Sequence, residues 1–155
     1  MRIRIISVGR QMPTWIHQGF NTYQKRMGQD MQVELCEINA GKRVKHADLQ
    51  RLINQEGMAI LNAIKPRERV IALTIQGKSF STESMAQQLA AWQQDGQDLC
   101  FLIGGPEGLA ETVVTRADHQ WSLSDLTLPH PLVRVLLAEQ LYRCWSIIKR
   151  MPYHR

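Results

Sequence analysis

The sequence predicts an α/β domain, with a mostly parallel sheet and helices on both faces. Two observations carry this. Short apolar runs rich in β-branched residues alternate with longer stretches whose apolar residues recur at three and four. The order reads βαβαβαβαβα, which demands crossover connections and therefore parallel strands.

Ile3 to Val8 is the first strand-like run. Residues 14–28 carry helical spacing through Trp15, Ile16, Phe20 and Tyr23. Val33 to Ile38 forms the second strand, followed by a basic loop, "AGKRVKH". Leu49, Leu52, Ile53, Ile60, Leu61 and Ile64 then line one face of a helix over 47–64, which Pro66 ends. "RVIALTI", 69–75, is a third strand, and "QGKS" reads as the turn after it. Ser81 suits a helix cap, so 82–94 is helical, with Glu83 in its first turn and Asp95-Gly96 at its end. Residues 98–103 form a fourth strand running into "GGPEG", and a helix follows over 109–118. Trp121 begins a short strand and loop. A last helix runs over 132–150, pre-organised by Pro131 and apolar nearly all round. Such a helix must be covered on several sides, and a second copy of the chain is a natural cover.

The chain of 155 residues reads as one domain over 1–155. Its 44% hydrophobic and 21% charged content suits a globular protein that needs neither disulfides nor metal to fold. No run of about 18 apolar residues exists, so no membrane span is expected, and "MRIRIISVGR" reads as a strand and not a signal peptide. A cytoplasmic protein is the expectation. Cys36, Cys100 and Cys144 are far apart and sit among apolar neighbours, as reduced thiols do. None of the five histidines pairs at ligand spacing, so no metal is expected.

Net charge is +5, which permits an anionic partner without requiring one. Lys42, Arg43 and Lys45 cluster in one loop and are candidates for phosphate contact. Arg134, isolated in "LVRVLL", needs a partner if buried, and is assigned to RNA phosphate or to a subunit interface.

Two nucleotide readings fail. "QGKS" lacks the first glycine of a P-loop, since position 72 is Ala72, and the residues before it are strand-like. "GGPEG" lacks the dinucleotide-binding spacing, Pro106 offers no amide, and Glu107 repels phosphate. Glu107 either counters the charge of a cationic ligand or starts the next helix, and the second is preferred because a carboxylate is favourable there.

Four segments carry a family resemblance: "LIGGPEGL" at 102–109, "WSLSDLTLPHPLVRVLLAEQLYRCWSI" at 121–147, "PYHR" at 152–155, and "NAGKRVKHADLQRLINQEG" at 39–57. Together they resemble the ribosomal RNA large-subunit methyltransferase H family of small SPOUT-class enzymes. The resemblance spans essentially the whole chain. It implies a deep C-terminal trefoil knot, a homodimer, S-adenosylmethionine as methyl donor, and methylation of N3 of pseudouridine-1915 of 23S rRNA in the assembled ribosome. Carried onto this sequence, it implies cofactor contacts from Leu73, Gly104, Leu123, Ser124, Asp125, Leu126, Thr127 and Leu128. Arg143, matched within "LYR", would face the cofactor across the dimer and stabilise an imide anion. Tyr153 would stack on the base, and His154 titrates near neutral pH. One subunit's tail is expected to complete the other's site. The competing readings are a non-catalytic RNA-binding module, which would use the basic faces alone, and an α/β enzyme of some other cofactor.

Overall fold

The computed structural model describes residues 1–154, the side chain of His154 excepted. Five strands form one sheet in the order β2-β1-β4-β3-β5, every pair parallel. They are β1 (Arg2–Val8), β2 (Gln32–Ile38), β3 (Arg69–Ser79), β4 (Leu99–Ile103) and β5 (His119–Ser122). Between and after them run α1 (Thr14–Gln24), α2 (Leu49–Ala63), α3 (Thr82–Gln94), α4 (Glu111–Arg116) and α5 (His130–Ile148), and a 3-10 turn spans Pro152–His154.

The alternation of side chains along β1 sorts the helices into two layers. Ile3 and Ile5 point to one face, where Phe20 of α1, Leu89 and Trp92 of α3, and Leu137 and Leu141 of α5 join a single core. Ile6 and Val8 point to the other, against Ile60 of α2 and Val113 of α4. β4, central and covered on both faces, is apolar throughout and fully buried, as a parallel strand must be. The helix ends follow local chemistry. The Asp48 and Ser81 side chains accept from the Arg51 and Ser84 amides and so cap α2 and α3.

Three expectations change. First, "QGKS" is not a turn. β3 continues to Ser79, and both Leu73 and Lys78 pair with Trp121, so residues 74–77 bow outward from the ladder. Second, α5 lies on the sheet with α1 and α3 beside it, and Arg134, Leu137, Ala138, Leu141, Tyr142, Cys144 and Ser146 are already buried. The chain itself supplies part of the cover that the apolar helix demands, while seven of its apolar residues, among them Leu132, Val135 and Leu136, stay only half-buried. Third, Arg134 is fully buried. Its guanidinium donates to the Val8 and Gly9 carbonyls at 2.8 and 2.7 Å and to Glu37 at 3.0 Å. It pins α5 to the carboxyl ends of β1 and β2 and has no path to a phosphate, so the RNA assignment of Arg134 is withdrawn.

The Cys100 and Cys144 thiols are buried, and burial pushes both up to about 12, so neither is a nucleophile. Among the described residues no helix is long and apolar enough to cross a membrane, and no cluster of metal-ligating side chains forms.

Arg134→Ala would strand the Glu37 carboxylate and two strand-end carbonyls. Urea unfolding should show a loss of about 3–5 kcal/mol, and a loss under about 1 kcal/mol would contradict the brace.

Candidate ligand-binding cleft

The carboxyl ends of parallel strands are where α/β sheets leave room for ligands. Here a cleft of about 670 Å³ opens at the ends of β3, β4 and β5. That lies within the range of small-molecule sites. Leu73, Thr74 and Ile75 form one wall, the 103–108 turn a second, and 121–130 with Val133 of α5 the third.

The bareness of "GGPEG" has a local cause. A Cβ on Gly104 would lie 2.3 Å from the Gly108 carbonyl carbon and 2.7 Å from the Leu109 nitrogen, so the chain folds back on itself with no side chain between. Gly105 and Gly108 form an antiparallel bridge, with the Gly108 amide donating to Gly105 at 3.0 Å and Gly108 at φ +87. The bowed β3 segment makes a second such approach. A Cβ on Gly77 would lie 2.4 Å from the Trp121 carbonyl carbon. Trp121 is held in turn by Phe80, Trp92 and Phe101, with ring centroids 4.6, 5.5 and 5.8 Å away.

Seven of the expected cofactor residues line the cleft: Leu73, Gly104, Leu123, Ser124, Leu126, Thr127 and Leu128. Asp125 does not; it is exposed to solvent. Ser124 shapes that loop, its hydroxyl accepting from the Leu126 amide at 2.9 Å and its carbonyl from the Ser122 hydroxyl at 3.0 Å. Leu126 and Ile75 are 75% and 71% exposed at the mouth, apolar surface that a bound ligand would cover. The Thr74 hydroxyl is buried without a hydrogen-bond partner among the described residues. An orphaned hydroxyl in a wall of leucines suits a ligand with both apolar and hydrogen-bonding parts.

Thr74, Ile75 and His130, none of them expected as ligand contacts, also line the cleft, and so does Glu107. For His130 and Glu107 the signal lay beside residues already chosen, in "LTLPHP" and "GGPEG". For Thr74 and Ile75 there was none, since a bow in a strand leaves no periodicity. Burial, with Arg134 and Arg43 nearby, holds His130 below the usual histidine range and thus uncharged near neutrality. Glu107 does not start a helix, because α4 begins four residues later at Glu111. It pairs with Arg43 at 2.7 Å.

The residues expected to do chemistry are elsewhere. Arg143 grips Glu139 at 2.6 and 2.9 Å and lies 5.0 Å from the Tyr153 ring centroid. The Tyr153 hydroxyl donates to Glu139 at 3.2 Å, and its ring meets Tyr142 edge-on at 4.5 Å. Burial and Glu139 push the Tyr153 phenol up to about 12, so it stays protonated. At about 1.5 Å per residue, Arg143 sits roughly 15 Å along α5 from Val133 of the cleft wall. A single chain therefore does not bring Arg143 and Tyr153 to the cleft. The His154 side chain lies outside the described residues. Lys42 and Lys45 are exposed, whereas Arg43 is half-buried.

A family model described as a predicted SPOUT methyltransferase matches residues 1–154. Over 155 residues, all of this chain and 99% of the relative, the sequence is 53% identical to a ribosomal RNA large subunit methyltransferase H of Hahella chejuensis (strain KCTC 2396). A probable methylase family protein of Haemophilus influenzae Rd KW20 shares the fold, with a TM-score of 0.58 at 13% identity, covering 96% of this chain and 67% of that one.

Gly104→Ala should force the 104–109 turn open. We expect a loss of about 1–3 kcal/mol in unfolding and faster amide exchange at Gly108. Unaltered exchange and stability would contradict the close backbone approach.

Proposed function

Because this chain belongs to the SPOUT methyltransferase family, we propose that it transfers a methyl group from S-adenosylmethionine to 23S rRNA in the ribosome, at N3 of pseudouridine-1915. The observation that carries this reading is the cleft at three strand ends. Its leucine walls suit an adenine, and its backbone groups and the orphaned Thr74 hydroxyl offer hydrogen bonds. The donor supplies a methyl carbon made electrophilic by a sulfonium. Leu73, Gly104, Leu123, Ser124, Leu126, Thr127 and Leu128 hold it, and Asp125 is left at the rim.

What remains for the protein is to place N3 in line with that carbon and to manage the N3 proton. Tyr153 and Arg143 are already ordered against each other by Glu139, a stacking surface beside a fixed cation. Neither is a base: the phenol is held at about 12 and Arg143 is raised further above its ordinary range by Glu139. Both suit stabilising an imide anion by hydrogen bond and charge. His154, of the side-chain type suited to taking or giving a proton near neutral pH, is assigned to the proton.

Arg143 lies about 15 Å along α5 from Val133 of the cleft, a separation that supports an active homodimer in which one subunit's tail reaches the other's donor. Recognition is assigned to the basic loop, through the exposed Lys42 and Lys45, and to the shape of the ribosome. The trefoil knot belongs to the same proposal and is supported by the two places where backbone meets backbone, at Gly104 and Gly77. The assigned compartment is the cytoplasm, where ribosomes are.

Titration calorimetry with S-adenosylmethionine should show micromolar binding and a rise in Tm, reaching about 2.7 kcal/mol of stabilisation at a hundredfold excess over Kd. Absence of binding refutes the reading. Deleting residues 153–155 should leave donor binding intact and abolish transfer to ribosomes. Mixing that variant with a cleft variant, Gly104→Leu, should restore part of the activity through mixed dimers. Full activity of the truncated protein alone would sink the shared site.

A further inference from the structure

Arg43 was expected to contact RNA phosphate, yet its donors are engaged inside the protein. Its Nη2 donates to Glu107 at 2.7 Å and to Glu56 at 3.1 Å, and Nε lies 3.3 Å from Glu107. Nη1 donates to the second Glu56 oxygen and, at 2.9 Å, to the Gly41 carbonyl. Glu56, on α2, is only 4% exposed and accepts from the Gly41 amide at 2.9 Å. Two carboxylates thus share one guanidinium, which raises Arg43 above its ordinary range and lowers Glu107 below the usual carboxylate range.

The cluster sits against the cleft. Glu107 and Gly105 both line it, and a Cβ on Gly105 would stand 3.2 Å from the Arg43 Nη2 and 3.4 Å from the Glu56 carboxylate. The second glycine of the turn is therefore the space into which the guanidinium lies. The loop that carries Arg43 also carries exposed Lys42 and Lys45.

We infer that Arg43 is a positioning residue for the methyl donor: clamped between Glu56 and Glu107, it holds the 104–108 turn in its donor-binding shape and ties the basic loop to the cleft. This rests on the methyl-donor reading above. A shift of the loop on RNA would move Arg43, and through Glu107 would move the turn, so RNA contact and donor affinity are coupled. A bidentate fork is needed for two carboxylates at once, which lysine cannot supply.

The test compares wild type with Arg43→Lys, Arg43→Gln and Glu107→Gln. Donor affinity is read by calorimetry, ribosome binding as a function of salt, and amide exchange at Gly108 without donor. Arg43→Lys and Glu107→Gln should each weaken donor binding roughly three- to thirtyfold, and the pair together no further than the worse single. Gly108 exchange should quicken in both. Arg43→Gln should leave the salt slope of ribosome binding unchanged. Wild-type donor affinity in these variants, or a salt slope shallower by about one in Arg43→Gln, would overturn the inference and make Arg43 a phosphate contact. A wild-type protein that binds no donor would instead refute the functional reading, and Gly108 exchange alone would then decide whether Arg43 holds the turn.

Discussion

Backbone closing on backbone at the ends of β3, β4 and β5 is the constraint on which the cleft depends. At Gly104 the chain meets its own return at Gly108 and Leu109, and at Gly77 the bowed end of β3 meets Trp121. No side chain fits at either place. The cleft is the space left beside these contacts, so its shape is set by main chain and by a buried aromatic cluster, not by mobile side chains. Preorganised walls of this kind cost a ligand little ordering on binding.

Charge is used at the same end of the sheet to fasten what hydrophobic packing leaves loose. Arg134 ties α5 to β1 and β2 from one layer. Arg43 with Glu56 and Glu107 ties α2 and the basic loop to the turn after β4 from the other. Buried ion pairs are weak evidence of net stability, since desolvation offsets most of their attraction. What they contribute is register. Each has several partners in fixed directions, and each joins segments far apart in sequence that apolar contact alone would allow to slide.

Much of this was legible in the sequence. Apolar, β-branched runs and apolar residues recurring at three and four located the five strands and the main helices, and Ser81 caps its helix as its position suggested. The cofactor residues transferred by motif from the family fall on the cleft, Asp125 excepted, whereas Arg143 and Tyr153 do not. The misses share a cause. Arg134 and Glu107 find partners at separations of 97 and 64 residues, and nothing local marks such pairs. The 74–77 bow keeps strand composition while leaving the ladder, so a turn was read where the strand resumes. The all-apolar α5 signalled cover on several sides but did not say which part α1 and α3 of the same chain provide.

The cleft, which reaches Val133 on α5, and the cluster of Glu139, Arg143 and Tyr153 are separate in one chain, with Arg143 about 15 Å along the helix from Val133. That separation fits a division of labour between two subunits, with a cleft holding the electrophile and a partner's tail holding the base. The account stands or falls on the product. Mass analysis of 23S rRNA nucleosides from cells lacking the protein measures it most directly. Loss of N3-methylpseudouridine, restored by the wild-type chain and not by one ending before Tyr153, is the predicted result. An unaltered nucleoside profile would contradict it.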